Sequence, residues 1–253
     1  MPAFSQALAV WASQSSLPPA TPADCCRLLN KPAYCATYLG SNYGAAGPRV
    51  LFVGKDHGDG ASSSRTPFDR HRDVAQWYRE YANPTAQNRP WNPHYRGTVR
   101  IAAELSQLAC AATCNRSCAG QPRAECALEH FAQANAVKCV ETEKTNRQFE
   151  GQRLVQRCLS FLLEEIRILR PQLLVLQSSE QGFVRLFRGV VASVGTFGGN
   201  AGPFESVAWS WNESTIVWFN RHPARISYDR YIEEWVSPHV ATALQLLRTM
   251  PRS

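Results

Sequence analysis

The feature that most constrains the fold is a series of four short apolar runs separated by longer segments. Three of the runs carry β-branched residues or leucines at successive positions and the remaining one, Ala134–Val140, is similar in its apolar content; the four lie at Pro48–Gly54, Ala134–Val140, Pro171–Gln177 and Ser214–Asn220. Successive apolar residues over so short a stretch are typical of a strand that is buried on both faces, as in a parallel sheet.

Helical patterns fill the segments between these runs. Apolar residues recur at helical spacing in "TVRIAAELSQLA", and a wide apolar stripe runs through residues 151–169 and ends before Pro171. A last helix is expected over Tyr228–Met250, broken near Pro238 because proline lacks an amide donor and crowds the preceding turn. Strands that alternate with helices predict an α/β fold of three layers, α/β/α, with a central, mostly parallel, four-stranded sheet.

Composition bounds the domain count and the class of protein. The 253 residues are 44% hydrophobic, which suffices for one domain with a sizeable core. We predict an arm over residues 1–24 and a single domain over residues 25–253, with a cysteine-rich insertion at about residues 110–126. The formal net charge of +7 weakly favours a polyanionic partner such as DNA.

Targeting signals are not visible in the sequence. No apolar run approaches the ~18 residues that cross a bilayer, and the first basic residue is Arg27, so a secretory signal would lack its basic start. We therefore expect a soluble, cytoplasmic monomer with no membrane partner, associated with the nucleoid if the source is bacterial.

Polar residues cluster where the predicted strands end. Asp56 and His57 follow the first run, Ser178 and Ser179 follow the third, His222 follows the fourth, and Asn135 opens the second. Each residue alone has an ordinary structural explanation, such as a helix cap or a hydrogen-bonded core amide. Together they would be costly to bury without partners. Because ligands bind at the carboxyl ends of the strands in open α/β sheets, the pattern indicates a ligand site there.

Three segments resemble the motifs of the uracil-DNA glycosylase superfamily, most closely its iron–sulfur branch. They are "RVLFVGKDHG", "NAVKCVETEKTNRQFEGQRLVQRCLSFLLEEIRILRPQLLVL" and "NRHPARI", and they span Arg49 to Ile226. The resemblance implies a monofunctional enzyme of base excision repair. Such an enzyme flips uracil out of DNA, hydrolyses its N-glycosidic bond and leaves an abasic site.

The resemblance also implies a role for each matching residue. Asp56 would activate water, His222 would stabilise charge on the uracil O2, Asn135 would read the base edge and Phe68 would stack on the flipped base. Gly54 and His57 would complete the substrate-binding set, with Ser178, Ser179 and Arg225 at the DNA. Lys55 stands where the iron–sulfur branch usually has an acid, which leaves open an alternative: a protein that binds uracil-containing or abasic DNA without cleaving it.

The nine cysteines fall largely into two sets. Cys139 and Cys158 resemble the two downstream ligands of a 4Fe–4S cluster, and Cys26 and Cys35 are the expected upstream ligands, although Cys25 competes with Cys26. Zinc is the alternative metal. The second set could bind zinc, supply ligands of the cluster or consist of incidental thiols in an inserted loop; it comprises Cys110, Cys114, Cys118 and Cys126.

Overall fold

The computed structural model of the chain describes most of the predicted domain. The described residues are 4, 6–7, 37–45, 47–54, 76, 93–113, 127–136, 147–178, 181–223 and 226–250. Within them, Phe4 packs edge-on against Tyr43, with 5.6 Å between the ring centroids. The predicted boundaries of the arm and of the cysteine-rich insertion lie largely outside these residues and stay predictions.

One mixed sheet of seven strands organises the described residues. Its strands are β1 (Tyr38–Leu39), β2 (Val50–Gly54), β3 (Phe131–Asn135), β4 (Leu173–Gln177), β5 (Gly195–Ala201), β6 (Phe204–Trp209) and β7 (Ser214–Asn220). They lie in the order β1-β3-β2-β4-β7-β6-β5. The central four, β3, β2, β4 and β7, are parallel, whereas β1, β6 and β5 pair antiparallel at the two edges.

Helices cover both faces of the sheet. They are α1 (Pro93–Thr113), α2 (Arg147–Leu169), α3 (Gln181–Val191), α4 (Tyr228–Tyr231), a π-helical turn (Ile232–Val236) and α5 (Ser237–Thr249). Buried residues of α1, α4 and α5 pack on one face with Phe52, Val175 and Trp218. Buried residues of α2 and α3 pack on the other face with Leu51 and Val53. The predicted α/β class and its three layers are therefore confirmed.

The predicted count of four strands is wrong, because β1, β5 and β6 carry no continuous apolar run. β1 has only two residues. The β5–β6 hairpin is rich in glycine and buries only every second or third residue of β6, so its apolar pattern is interrupted. The hairpin is anchored by Trp209, whose indole N–H donates to Thr215 Oγ1 at 2.8 Å; that hydroxyl donates to the Pro171 carbonyl at 2.8 Å.

Two predicted elements differ in detail. β3 ends at Asn135 rather than beginning near it, because Phe131–Asn135 is the stretch that pairs in register with Val50–Gly54 of β2. The last helix is not broken at Pro238. The π-helical turn directly precedes Ser237 and Pro238, and the Ser237 amide donates to the carbonyl of Ile232, five residues earlier. The helix therefore widens by one residue per turn just before Pro238, which has no amide hydrogen to donate. No helix among the described residues is long and apolar enough to cross a membrane.

The close approach of two backbone segments at Gly40 predicts a strong effect of a single methyl group. A β-carbon there would lie 2.5 Å from the Leu128 carbonyl oxygen and 2.6 Å from the Glu129 backbone. We expect Gly40→Ala to lower the free energy of unfolding by about 1–3 kcal/mol, since backbone cannot move aside as a side chain can.

Gly189 provides the matched control, because a β-carbon there would meet nothing within 4 Å and the residue lies inside α3. Gly189→Ala should raise the free energy of unfolding by about 0.5–1 kcal/mol through helix propensity. Urea denaturation of both variants measures the two changes; equal effects would contradict the close approach at Gly40.

Candidate active site

Four residues form a row at the carboxyl edge of the parallel strands. Gly54 pairs with Asn135, and Gln177 pairs with Asn220, each at the last position of its strand; one residue earlier, Val53 pairs with Leu176 and links the two pairs. By the alternation of strand side chains, Gly54, Asn135, Gln177 and Asn220 share the face that α1 covers. The row therefore presents three carboxamides to the same side, and the gap in the row is Gly54, which has no side chain.

Asn135 lies beside the gap in this row. It is 7% exposed, and Gly54 on the neighbouring strand contributes no side chain next to it. The backbone continues the pairing for one more step, because the Ala136 amide donates to the Gly54 carbonyl at 2.8 Å. Its position at the end of the strand, rather than the predicted start, places Asn135 directly at the edge where ligands bind in such sheets.

Gln177 ties the row to the covering helix. Its amide nitrogen lies 2.8 Å from Thr98 Oγ1, and the Thr98 hydroxyl lies 3.1 Å from Gln177 Oε1. Both residues are fully buried. Because Thr98 belongs to the early turns of α1, this contact shows that α1 begins over the carboxyl edge of the sheet.

Asn220 and Tyr231 form a second fully buried polar pair of the site. Both are 0% exposed. The Tyr231 hydroxyl lies beside the carboxamides of Asn220 and Gln177, but it forms no well-aligned hydrogen bond, and neither polar atom of the Asn220 side chain has one. Burial raises the pKa of Tyr231, and the two carboxamides oppose that rise.

His222 leaves the sheet two residues after Asn220 and is half-buried. The next residue, Pro223, is buried against α1 at Gly97. A β-carbon at Gly97 would lie 2.7 Å from Tyr231 Cε1 and 2.9 Å from two ring carbons of Pro223, so only glycine allows this approach. The His222 segment is thereby enclosed between the sheet edge and α1.

The direction of the helices adds another feature of this edge. α1 begins there, α3 follows β4 after three residues, and α2 ends at the opposite edge beside the start of β4, so the amino ends of three helices face this side. Unpaired amides at helix amino ends carry partial positive charge and bind phosphate. Arg96 lies on the first turns of α1, with its guanidinium carbon 3.7 Å from the centroid of the Tyr228 ring.

Several predicted site residues lie outside the described residues, namely Asp56, His57, Phe68, Ser179 and Arg225. Ser178 is described and is 2% exposed directly after β4. The structure thus brings together Gly54, Asn135, Ser178 and His222 at one edge. Sequence reasoning missed Gln177 and Asn220, although each is a carboxamide at the boundary of an apolar run, as Asn135 is.

Of the four predicted cluster ligands, only Cys158 is described. It lies on α2 and is fully buried, as a thiolate that holds a cluster away from water would be. Cys26, Cys35 and Cys139 lie outside the described residues, and among the residues that are described no three or more His, Cys, Asp or Glu side chains form a metal-binding group.

Comparison with known families points to one superfamily. A family model described as "Uracil DNA glycosylase superfamily" matches residues 41–245, which include β2 to β7, the row of strand-end residues and His222. The match is to the superfamily as a whole and assigns no branch. A comparison with individual curated proteins gives no match.

Proposed function

The chain belongs to the uracil DNA glycosylase superfamily, and we propose that it hydrolyses the N-glycosidic bond of uracil in DNA and leaves an abasic site. Membership suggests DNA glycosylase activity and action on DNA. The choice of uracil, the water-activating residue and the metal cluster are the finer parts of the proposal. The observation that carries it is the position of Asn135 and His222 at one edge of the sheet, on either side of Gly54 and Gln177.

Asn135 supplies the chemistry of base choice. A carboxamide has one donor and one acceptor group, which match the O4 acceptor and N3–H donor of uracil. Cytosine presents the opposite pattern, so an amide held in one orientation rejects it. The burial of Asn135 supports this role, because a buried amide that faces the wrong base leaves polar groups unpaired.

His222 and Asp56 would act on the charges that develop as the glycosidic bond breaks. The departing base becomes anionic, and a histidine N–H near its O2 stabilises that charge. The sugar becomes cationic, and the Asp56 carboxylate stabilises it and orients or deprotonates water. His222 lies in a segment held on both sides, which suits a donor whose value depends on fixed geometry.

The remaining predicted residues would hold the flipped base and the DNA strand. A base in a duplex must be flipped out before it can be cleaved, and Phe68 would stack on it in the pocket. His57 would lie near the position where thymine carries its methyl group. Ser179 and Arg225 would contact the DNA strand, at the edge where helix amino ends favour phosphate. Ser178 is 2% exposed, so its predicted contact with DNA would require the residues around it to move.

A strand-cleavage assay tests the proposal. An end-labelled oligonucleotide with one uracil is incubated with the protein and then treated with alkali, which cuts abasic sites. Cleavage at the uracil supports the glycosylase. The variant Asp56→Asn should release uracil more slowly by about two orders of magnitude or more, because the carboxylate acts mainly in the transition state. Its affinity for DNA should change little. A stable complex without cleavage would instead support the non-cleaving DNA-binding protein.

A single change at Asn135 tests base recognition. Asn135→Asp removes the donor to uracil O4 and places a carboxylate opposite it, which should cost about 2–4 kcal/mol and slow uracil release by roughly 30-fold or more. The new carboxylate accepts from the cytosine amino group, so weak cytosine release should emerge, first at mispairs that flip easily.

Gln133 offers a matched control, since it is a mostly buried carboxamide two residues earlier on the same face of β3. Gln133→Glu should leave the ratio of uracil to cytosine release unchanged. Parental uracil release in a folded Asn135→Asp variant would remove Asn135 from the base-reading role.

We also propose that Cys26, Cys35, Cys139 and Cys158 hold a 4Fe–4S cluster, with zinc as the alternative metal. The buried position of Cys158 on α2 suits such a ligand. A cluster would crosslink the segment that precedes the sheet to α2 and to the segment after β3, and it would thereby stabilise the fold.

Metal analysis and colour test this cluster. The purified protein should be brown and contain about four irons per chain, and Cys158→Ala should lose both the iron and the colour. Cys110→Ala, in the second cysteine set, should keep them. A colourless protein with stoichiometric zinc would overturn the cluster, and colour that survives Cys158→Ala but not Cys110→Ala would reassign it.

A further inference from the structure

Asn220 and Tyr231 are hard to explain as packing alone. The carboxamide of Asn220 and the hydroxyl of Tyr231 are fully buried and lack well-aligned hydrogen bonds. Buried polar groups are normally satisfied, and an exception calls for a reason at that position. Here the two groups lie beside each other and beside Gln177, so a small rotation or one buried water closes the network.

Tyr231 makes a second contact with its ring. The ring carbon Cε1 approaches Gly97 at the point where two ring carbons of Pro223 also approach it. Tyr231, Gly97 and Pro223 therefore meet at one place, where any side chain larger than a hydrogen on Gly97 would force the others apart.

The two contacts of Tyr231 lie on either side of His222 in the chain. Its hydroxyl lies beside Asn220, two residues before His222, and its ring lies near Pro223, one residue after it. Asn220 is itself fixed to the sheet by its pairing with Gln177, which is bonded to Thr98 of α1. The segment that carries His222 is thus held at both ends by one side chain.

We propose that Tyr231 is a positioning residue for His222, acting through Asn220 on one side and Pro223 on the other. The inference rests on the proposed function, in which His222 stabilises the departing base. Tyr231 is 0% exposed and therefore contacts neither base nor DNA. Its effect is on geometry, and a displacement of about 1 Å at a catalytic donor costs on the order of 100-fold in rate.

Removal of one hydroxyl tests the proposal. Tyr231→Phe keeps the ring contact and removes the group beside Asn220, and we expect single-turnover uracil release to slow by roughly 10- to 100-fold while DNA affinity stays unchanged. Tyr43→Phe is the matched control: its hydroxyl is also buried and donates to the Leu169 carbonyl at 3.1 Å, at the opposite edge of the sheet. The control should lose stability but keep the parental rate.

A double-variant cycle separates positioning from general destabilisation. In a His222→Ala background, Tyr231→Phe should cause no further loss of rate, because the residue through which it acts is gone. Equal losses in both backgrounds would overturn the proposal. Should Tyr231→Phe not fold, Gly97→Ala replaces it, since the added methyl displaces Pro223 and Tyr231 without removing a polar group.

A spectroscopic readout keeps this test independent of the proposed function. The imidazole resonances of the six histidines are assigned by single substitution, and that of His222 should shift in Tyr231→Phe but not in Tyr43→Phe. An unshifted His222 signal would refute the positioning role even in an active enzyme. Absence of uracil release by the parental protein would refute the proposed function alone, because the resonance would still report on Tyr231.

Discussion

The parallel register of four strands is the constraint on which the site depends. Because β3, β2, β4 and β7 run in the same direction and pair without a shift, their last residues come to one level and one face. Residues that are up to 166 positions apart in the chain, from Gly54 to Asn220, become neighbours in a single row. No side-chain contact is needed to bring them together, since the backbone hydrogen bonds of the sheet do so.

α1 covers this row and packs most closely at Gly97, the one position of the helix that has no side chain. Gly97 admits Tyr231 and Pro223, and the adjacent Thr98 bonds to Gln177, so close packing and polar pairing occur on successive residues. Below this level β2, β4 and β7 are apolar on the same face, with Phe52, Val175 and Trp218 in the core, while β3 carries the carboxamide of Gln133. On these three strands the face therefore changes within two residues from the apolar core to the polar row of the candidate site.

Much of this could be predicted from the sequence, for a physical reason. Strands buried on both faces must be apolar at every position, so β2, β4 and β7 stand out, and a polar residue that ends such a run is conspicuous. The exact end of β3 could not be predicted, because its apolar residues continue into Ala136 and Val137 and only the register with β2 decides where pairing stops. The proximity of Tyr231 to Asn220 could not be predicted either, since it depends on how a helix after the last parallel strand folds back over the sheet.

The two edges of the sheet have a consequence for the behaviour of the protein at high concentration. An open sheet exposes unpaired backbone groups that invite another chain to add a strand. At one edge β1 offers only two residues, and at the other β5 has an irregular register between Gly198 and Asn200 and a left-handed Gly199. A regular ladder cannot extend across such a kink. The described sheet can therefore keep a parallel core without offering either edge as a template for fibre growth.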